Sequence, residues 1–157
     1  MKRILFVCLG NICRSPGAEA VFTHLVEKNG LKEQFVIDSA GTGAWHVGEK
    51  ADYRMRQFGQ KRGYNLSSIA RAFKPEDFDQ FDMIIGMDAQ NIRDLKSRAR
   101  NEKDRQKIFA MTDFSTRMNY HSVPDPYFGG DAGFELVLDI LEDACEGLLA
   151  KIQSEGK

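Results

Sequence analysis

Apolar and polar positions along the chain predict short buried strands separated by helices. The apolar run Ile4-Leu5-Phe6-Val7 predicts a first buried strand at 2–8, and further buried strands are predicted at 35–37 and 81–86, the latter centred on Met83-Ile84-Ile85. A short fourth strand is expected at 108–109. Because strands that alternate with helices pair in parallel, the pattern predicts an α/β fold whose parallel sheet is covered by helices on both faces.

Apolar residues at helical spacing predict four helices. The first carries Ala18, Val21, Phe22, Leu25 and Val26 and ends at Asn29-Gly30; the others are a polar helix at 51–61 closed by Gly63, a helix capped by Asp88, and a long amphipathic helix at 134–152. Loops are expected at 38–43 and 124–130. Right-handed crossovers would place the end of the first strand at the carboxyl edge of the sheet, where such folds bind ligands.

Size and charge narrow the class of protein. A chain of 157 residues predicts a single domain spanning residues 1–157. The net charge of −1 argues against a nucleic-acid partner. No apolar run reaches the roughly 18 residues of a membrane span, and no signal peptide precedes the first strand, so we expect no membrane insertion and a cytoplasmic location.

The cysteine and histidine content predicts neither disulfide bonds nor a metal site. Cys8, Cys13 and Cys145 are the cysteines of the chain, and their number fits reduced thiols rather than a disulfide framework. The histidines, which are His24, His46 and His121, show no ligand spacing with them. We therefore expect no metal and no cofactor.

The first predicted strand runs directly into a loop of small and polar residues. The loop reads Cys8-Leu9-Gly10-Asn11-Ile12-Cys13-Arg14-Ser15 and is followed by Pro16. Backbone amides at a helix start favour an anion, and Arg14 adds a planar fork that matches two phosphate oxygens. The same groups favour the thiolate of Cys8, the nucleophilic form. The motif predicts a phosphate-ester hydrolase that works through a cysteinyl-phosphate.

Neighbouring positions strengthen this interpretation. Gly10 supplies backbone freedom, and Asn11 is one of the few non-glycine residues that tolerate positive φ. Ser15 is expected to cap the following helix and to donate its hydroxyl to the sulfur. An isolated Cys8 would more often be a small buried hydrophobe, but these matching positions favour the phosphate loop.

Asp125 is the candidate acid, and it lies between Pro124 and Pro126. An alkoxide or phenolate departs far better when a positioned acid protonates it, and the two prolines hold the carboxyl on a stiff loop. The same carboxylate could activate water against the cysteinyl-phosphate. An Asp beside prolines is also common in a plain turn, so the acid role depends on the phosphate loop upstream.

Four apolar residues could line a slot for an aromatic leaving group: Ile12, Trp45, Tyr127 and Phe128. For Trp45 a place in the core is an equally favoured alternative.

Two other functions use a loop cysteine. An arsenate reductase would need further relay cysteines, and none lies between residues 14 and 144. A phosphocarrier should avoid a water-activating acid, which Asp125 disfavours.

These residues resemble the low-molecular-weight protein tyrosine phosphatases. Both motifs match, the loop 8–15 and Asp125-Pro126-Tyr127, and the similarity continues through residues 38–42, Arg71-Ala72 and 81–88, so it covers nearly the whole chain. The resemblance implies one three-layer domain with a four-stranded parallel sheet and the phosphate loop after its first strand. It implies metal-free hydrolysis of phosphotyrosine.

The resemblance also assigns roles to residues. It implies that Cys8 is the nucleophile, Arg14 the phosphate binder and Asp125 the general acid. It implies a hydrogen-bonded network that shapes the loop, made of Asn11, Ser15 and Ser39. Many family members add a His to this network, at the position that Ser68 occupies here.

Ile12 narrows the expected substrate. Relatives that resemble arginine phosphatases carry a Thr there, which can bond the extra nitrogen of phosphoarginine. The apolar Ile12 points to phosphotyrosine-containing proteins or small aryl phosphates as partners. The chain is expected to be a monomer or a weak dimer. Since Cys8 and Cys13 share one tight loop, we also predict that peroxide links them in a reversible disulfide, although Cys13 could simply fill the back of the loop.

Overall fold

A four-stranded parallel sheet forms the centre of the computed structural model, which describes residues 1–126 and 130–156. In spatial order its strands are β2 (Phe35–Gly41), β1 (Lys2–Cys8), β3 (Met83–Gly86) and β4 (Ile108–Ala110). All pairings between these strands are parallel, so their carboxyl ends share one edge of the sheet. The predicted fold class is confirmed, and Cys8 is the last residue of the central strand β1.

Six α-helices accompany the sheet within the described residues: α1 (Arg14–Lys28), α2 (Tyr53–Lys61), α3 (Asp77–Gln80), α4 (Ala89–Arg98), α5 (Glu102–Arg105) and α6 (Asp131–Glu155). Short 3₁₀ turns occur at Lys32–Gln34 and Met111–Phe114. In the part of the chain that the structure describes, no helix is both long and apolar enough to cross a membrane.

Side chains of β1 alternate between two separate hydrophobic cores. Ile4 and Phe6 belong to the larger core, which contains the buried faces of α1 and α6. Leu5 and Val7 belong to the smaller core, with Phe78 of α3 and Leu95 of α4 among its members. Because the strand is apolar at consecutive positions, both faces of the sheet can be covered.

The structure corrects two strand boundaries. Strand β2 continues to Gly41, so most of the loop predicted at 38–43 is strand, because its backbone pairs with β1 as far as Cys8 opposite Gly41. Strand β3 begins at Met83 instead of at residue 81, since the short helix α3 precedes it. Helices of four residues, such as α3 and α5, show no periodicity that a sequence pattern could reveal.

Helix α1 begins differently from the prediction. Its N-cap is Cys13 and no side chain caps it, so Ser15 does not cap the helix. The Ser15 hydroxyl instead lies between Cys8 and Asn11. A methyl carbon added at Gly17 would lie 2.5 Å from the end of the Met55 side chain and 3.0 Å from that of Leu141, so these side chains would have to shift to accommodate it.

Candidate active site

The start of the loop after β1 is fixed by backbone hydrogen bonds to the segment that follows β2. The carbonyls of Cys8 and Leu9 accept from the amides of Thr42 and Gly43, both at 2.9 Å. Asn11 has a φ of 57°, and among the described residues it is the only non-glycine residue with positive φ. A left-handed residue turns the chain sharply, so the loop curls back toward the Cys8 sulfur.

A chain of hydrogen bonds leads from the Cys8 sulfur into the interior. The sulfur lies 3.0 Å from the Ser15 hydroxyl, and the Asn11 amide nitrogen donates to Ser15 at 2.8 Å and to Ser39 at 3.0 Å. The Asn11 carbonyl oxygen accepts from the Arg71 backbone amide at 3.0 Å, which fixes the orientation of the side-chain amide. We call Ser39, Asn11 and Ser15 the serine–asparagine chain.

Arg14 is buried, with 3% of its surface exposed, and two acceptors from other elements hold it. One terminal nitrogen donates to the Asp88 carboxylate at 2.6 Å and to the Val123 carbonyl at 3.0 Å. The other lies 3.7 Å from a carboxylate oxygen of Asp125. The orientation of the guanidinium is therefore set from outside the loop that carries it.

One cavity of about 160 Å³ brings the predicted catalytic residues together. Its lining consists of Cys8, Leu9, Gly10, Ile12, Cys13, Arg14, Trp45, His46 and Asp125. Ile12 and Trp45, two of the four residues of the predicted aromatic slot, line this cavity. Trp45 is 72% exposed, so it does not belong to the core. Tyr127 and Phe128 lie outside the described residues.

The second cysteine of the loop, Cys13, has a raised thiol pKa, which is the opposite of what a nucleophile needs. Cys13 is buried, and burial raises the pKa of its thiol well above the ordinary value, with a further contribution from the nearby Asp52 carboxylate. All three cysteines are free thiols. Cys145 lies wholly buried in the larger core, where burial likewise raises its pKa.

Three residues near the site had no predicted part in it. Asp88 was expected only as a helix cap, and His46 was considered only as a metal ligand. His46 packs on Gly10, where an added methyl carbon would lie 2.9 Å from its ring, and it contacts Glu49 at 2.9 Å. Glu19 accepts a hydrogen bond from Ser39. For Glu19 the available signal was a lone carboxylate among the small and apolar residues that begin α1.

Ser68 lies in the wall of a different cavity, of about 270 Å³, which Glu19 also lines. The contact of Glu19 with Ser39 links this cavity to the site. Within the described residues, no group of three or more His, Cys, Asp or Glu side chains is arranged to hold a metal ion. What the cavity at Cys8 offers chemically is a sulfur, a guanidinium and a carboxyl around one small space.

Comparison with known proteins supports one family. The family described as "Low molecular weight phosphotyrosine protein phosphatase" matches residues 3–157. A putative low molecular weight protein-tyrosine-phosphatase from Synechocystis is 45% identical over 153 residues, covering 98% of both chains. The crystal structure of a protein tyrosine phosphatase from Entamoeba histolytica has a TM-score of 0.97 at 48% identity and covers all of both chains.

The fold is also shared with an enzyme named for another substrate. The structure of a drosophila arginine phosphatase matches with a TM-score of 0.89 at 34% identity, covering 97% of this chain and 98% of that chain. The backbone alone therefore does not separate phosphotyrosine from phosphoarginine. That choice depends on the side chains around the cavity.

Proposed function

The chain belongs to the low molecular weight phosphotyrosine protein phosphatase family, and from this premise we propose that it hydrolyses phosphotyrosine and related aryl phosphates without a metal ion. One observation carries the proposal: Cys8, Arg14 and Asp125 line the same cavity of about 160 Å³. A phosphoryl group small enough for this space would meet the sulfur, the guanidinium and the carboxyl at once. Phosphotyrosine-containing proteins are the proposed substrates.

In the first step the Cys8 thiolate attacks phosphorus. A sulfur–phosphorus bond forms and the bond from phosphorus to the tyrosyl oxygen breaks. Asp125 gives its proton to the departing oxygen, so the product leaves as a neutral phenol. Arg14 binds phosphate oxygens as charge shifts during transfer, and its guanidinium is pre-oriented by Asp88 and Val123.

In the second step the ionised Asp125 takes a proton from water, and the water oxygen attacks the phosphocysteine. The sulfur–phosphorus bond breaks, inorganic phosphate leaves and the thiolate is regenerated. Proton and charge therefore balance over the cycle without any other reactant. The Ser15 hydroxyl, 3.0 Å from the sulfur, can stabilise the thiolate as it leaves.

The substrate preference rests on Ile12 and Trp45. Both line the cavity, and the Ile12 side chain offers an apolar wall but no acceptor for the additional nitrogen of phosphoarginine. An exposed indole at the mouth suits the flat face of a phenol ring. We therefore favour phosphotyrosine over phosphoarginine.

The test is a rapid-quench experiment with a radiolabelled aryl phosphate in the presence of a chelator. Label on Cys8 during turnover supports the mechanism, and Cys8→Ser should carry none and release no phosphate. Turnover without label on residue 8 would contradict it. Stable phosphocysteine with no turnover would favour a phosphocarrier, and arsenate reduction would favour an arsenate reductase.

Redox control is a further part of the proposed function. Peroxide would oxidise the Cys8 thiolate to a sulfenic acid, and the Cys13 thiol would attack that sulfur, releasing water and forming a disulfide. Burial favours the protonated thiol of Cys13, so Cys8 would be the first sulfur to be oxidised. Thiol reductants would restore activity.

A further inference from the structure

Glu19 carries a partly buried carboxyl that the proposed mechanism does not use. It lies in α1, about one turn after Ser15 at the end of the phosphate loop, and accepts a hydrogen bond from the Ser39 hydroxyl at 2.5 Å. Burial raises the pKa of the Glu19 carboxyl to about 7, against the lowering effect of that hydrogen bond. A partly buried carboxylate is costly to the fold, so its position calls for an explanation.

The charged groups around Glu19 come from α1 and from two other segments. Asp38 of β2 raises its pKa further, and Arg71 opposes that effect. His24 and Glu27 of α1 line the same cavity of about 270 Å³. Residues 65–68 contribute uncharged side chains to the cavity wall. Through this cavity Glu19 can exchange protons with solvent without unfolding.

Hydrogen positions along the serine–asparagine chain follow from the fixed amide of Asn11. Since its carbonyl oxygen accepts from the Arg71 backbone, its nitrogen faces both hydroxyls and must donate to them. Each hydroxyl then accepts from Asn11 and must point its own proton elsewhere. The Ser39 proton goes to Glu19, and the Ser15 proton is left for the Cys8 sulfur.

An ionised carboxylate can only accept, so it keeps Ser39 oriented with a lone pair toward Asn11. Without that acceptor the Ser39 hydroxyl is free to rotate, and Asn11 loses a firmly oriented partner. A looser Asn11 also presents its second proton to Ser15 less well, and the Ser15 hydroxyl has an alternative acceptor in the Ala40 carbonyl at 3.5 Å. The orientation at the nucleophile thus depends on a group three hydrogen-bonded residues away.

We propose that the Glu19 carboxylate is a positioning residue that locks the donor direction of the serine–asparagine chain, so that a hydroxyl proton faces the Cys8 sulfur. The inference rests on the proposed role of Cys8 as the nucleophile. Under this proposal, stabilisation of the Cys8 thiolate depends in part on the Glu19 carboxylate, which does not contact the substrate.

The sign of the effect separates this role from simple electrostatics. A negative charge near the sulfur disfavours a thiolate through space, so removing Glu19 would on that account make Cys8 react at lower pH. Loss of the oriented Ser15 donor has the opposite result, because a hydrogen bond to the charged form favours it. The two explanations therefore predict shifts in opposite directions.

The experiment follows the alkylation of Cys8 by iodoacetamide across pH, with peptide mapping to assign the modified residue. This readout requires no turnover, so it can fail while the phosphatase mechanism stands, and the reverse is equally possible. For Glu19→Met we expect the midpoint of the rate profile to move upward by about 0.5–1 pH unit. The matched control is Glu27→Met, which removes a carboxylate of the same helix and cavity and should keep the parent profile.

Two further variants make every outcome decisive. In a Ser39→Ala background the Glu19→Met change should add no upward movement, since the chain is already cut. Glu19→Gln keeps a neutral, weaker acceptor at the same length, so its midpoint should lie above that of the parent and below that of Glu19→Met. If Glu19→Met does not fold, Glu19→Gln alone decides the question. An unchanged or lower midpoint in Glu19→Met, or in Glu19→Gln when Glu19→Met does not fold, would overturn the proposal, and so would a lower midpoint in Glu19→Gln in any case.

Discussion

The two carboxylate oxygens of Asp88 bind different partners, the first turn of helix α4 and Arg14. One oxygen accepts from the Asn91 backbone amide at 2.8 Å as the N-cap of α4, and the other accepts from Arg14 at 2.6 Å. Asn91 completes the capping box by accepting from the Asp88 amide. Asp88, which the sequence marks as a helix start, thus also fixes Arg14, the proposed phosphate binder, 74 positions earlier in the chain.

Replacing Asp88 with Asn should separate these two duties. Asn is an equally good N-cap, so the stability of α4 should change little. The charge-assisted bond to Arg14 is lost, and we expect kcat/KM to fall by about tenfold or more, with weaker inhibition by inorganic phosphate. Asp94→Asn, on the same helix, is the control and should retain parent kinetics. Full activity in Asp88→Asn would remove Asp88 from the positioning of Arg14.

Asp125→Ala tests the proposed general acid. With phenyl phosphate, whose leaving group needs a proton, the rate of phosphoenzyme formation should fall by about a hundredfold or more. With para-nitrophenyl phosphate the loss should be much smaller, because that phenolate departs unaided. Single-turnover kinetics on both substrates measure the difference. Equal losses would show that Asp125 acts in some other way.

Peroxide treatment tests the pairing of the loop cysteines. In the parent we expect mass spectrometry to find a Cys8–Cys13 disulfide, and dithiothreitol should restore activity. Cys13→Ser should instead advance to the sulfinic and sulfonic acids of Cys8 and lose activity irreversibly. Cys145→Ser is the matched control and should recover like the parent. Irreversible oxidation of the parent Cys8 would contradict the protective role.

The raised pKa of Glu19 predicts a pH-dependent stability. A carboxyl whose pKa is about 7 in the fold and near 4.5 when unfolded stabilises the protein at low pH, and this contribution disappears as pH rises through 7. Glu19→Gln should therefore unfold like the parent near pH 4, and at about pH 8 it should be more stable, on the order of 1 kcal/mol. Urea titrations at both pH values measure this. Glu27→Gln should show no such pH-dependent gain.

Gly147 tests how α6 packs on the 3₁₀ turn at Met111–Phe114. A methyl carbon at Gly147 would lie 1.8 Å from the Phe114 carbonyl oxygen, a backbone atom that cannot rotate away. Gly147→Ala should therefore cost about 1–3 kcal/mol of unfolding free energy, although Ala is the better helix former. Gly133→Ala, near the start of the same helix with neighbours no closer than 3.8 Å, should be neutral or stabilising. Thermal unfolding of the two variants checks the contrast.

The strands and the phosphate loop could be predicted because their signals are local. An apolar run that ends in Cys8, a left-handed Asn11 and a helix start are neighbours in sequence, so one segment specifies the loop. The extent of β2 was missed, since Asp38 and Ser39 look like loop residues and only the register with β1 makes them strand.

The residues that support the site were missed for a different reason. Asp88 and Glu19 reach Arg14 and Ser39 from distant parts of the chain, and nothing in their own neighbourhood marks that contact. Each had a sufficient local explanation, as a cap or as a polar position on a helix. Contacts of this kind depend on how α1, α4 and the sheet pack, which a pattern of residues does not specify.

Cys8 is the last residue of β1, one of the two inner strands of the sheet, which pairs with β2 and β3. Opening β1 would disrupt the sheet on both sides, so the strand that ends in the nucleophile should be among the slowest segments to exchange its amide hydrogens. Trp45 and Val47 are exposed and lie outside the strands. New recognition of substrates can therefore evolve at such positions while the reactive sulfur stays where it is.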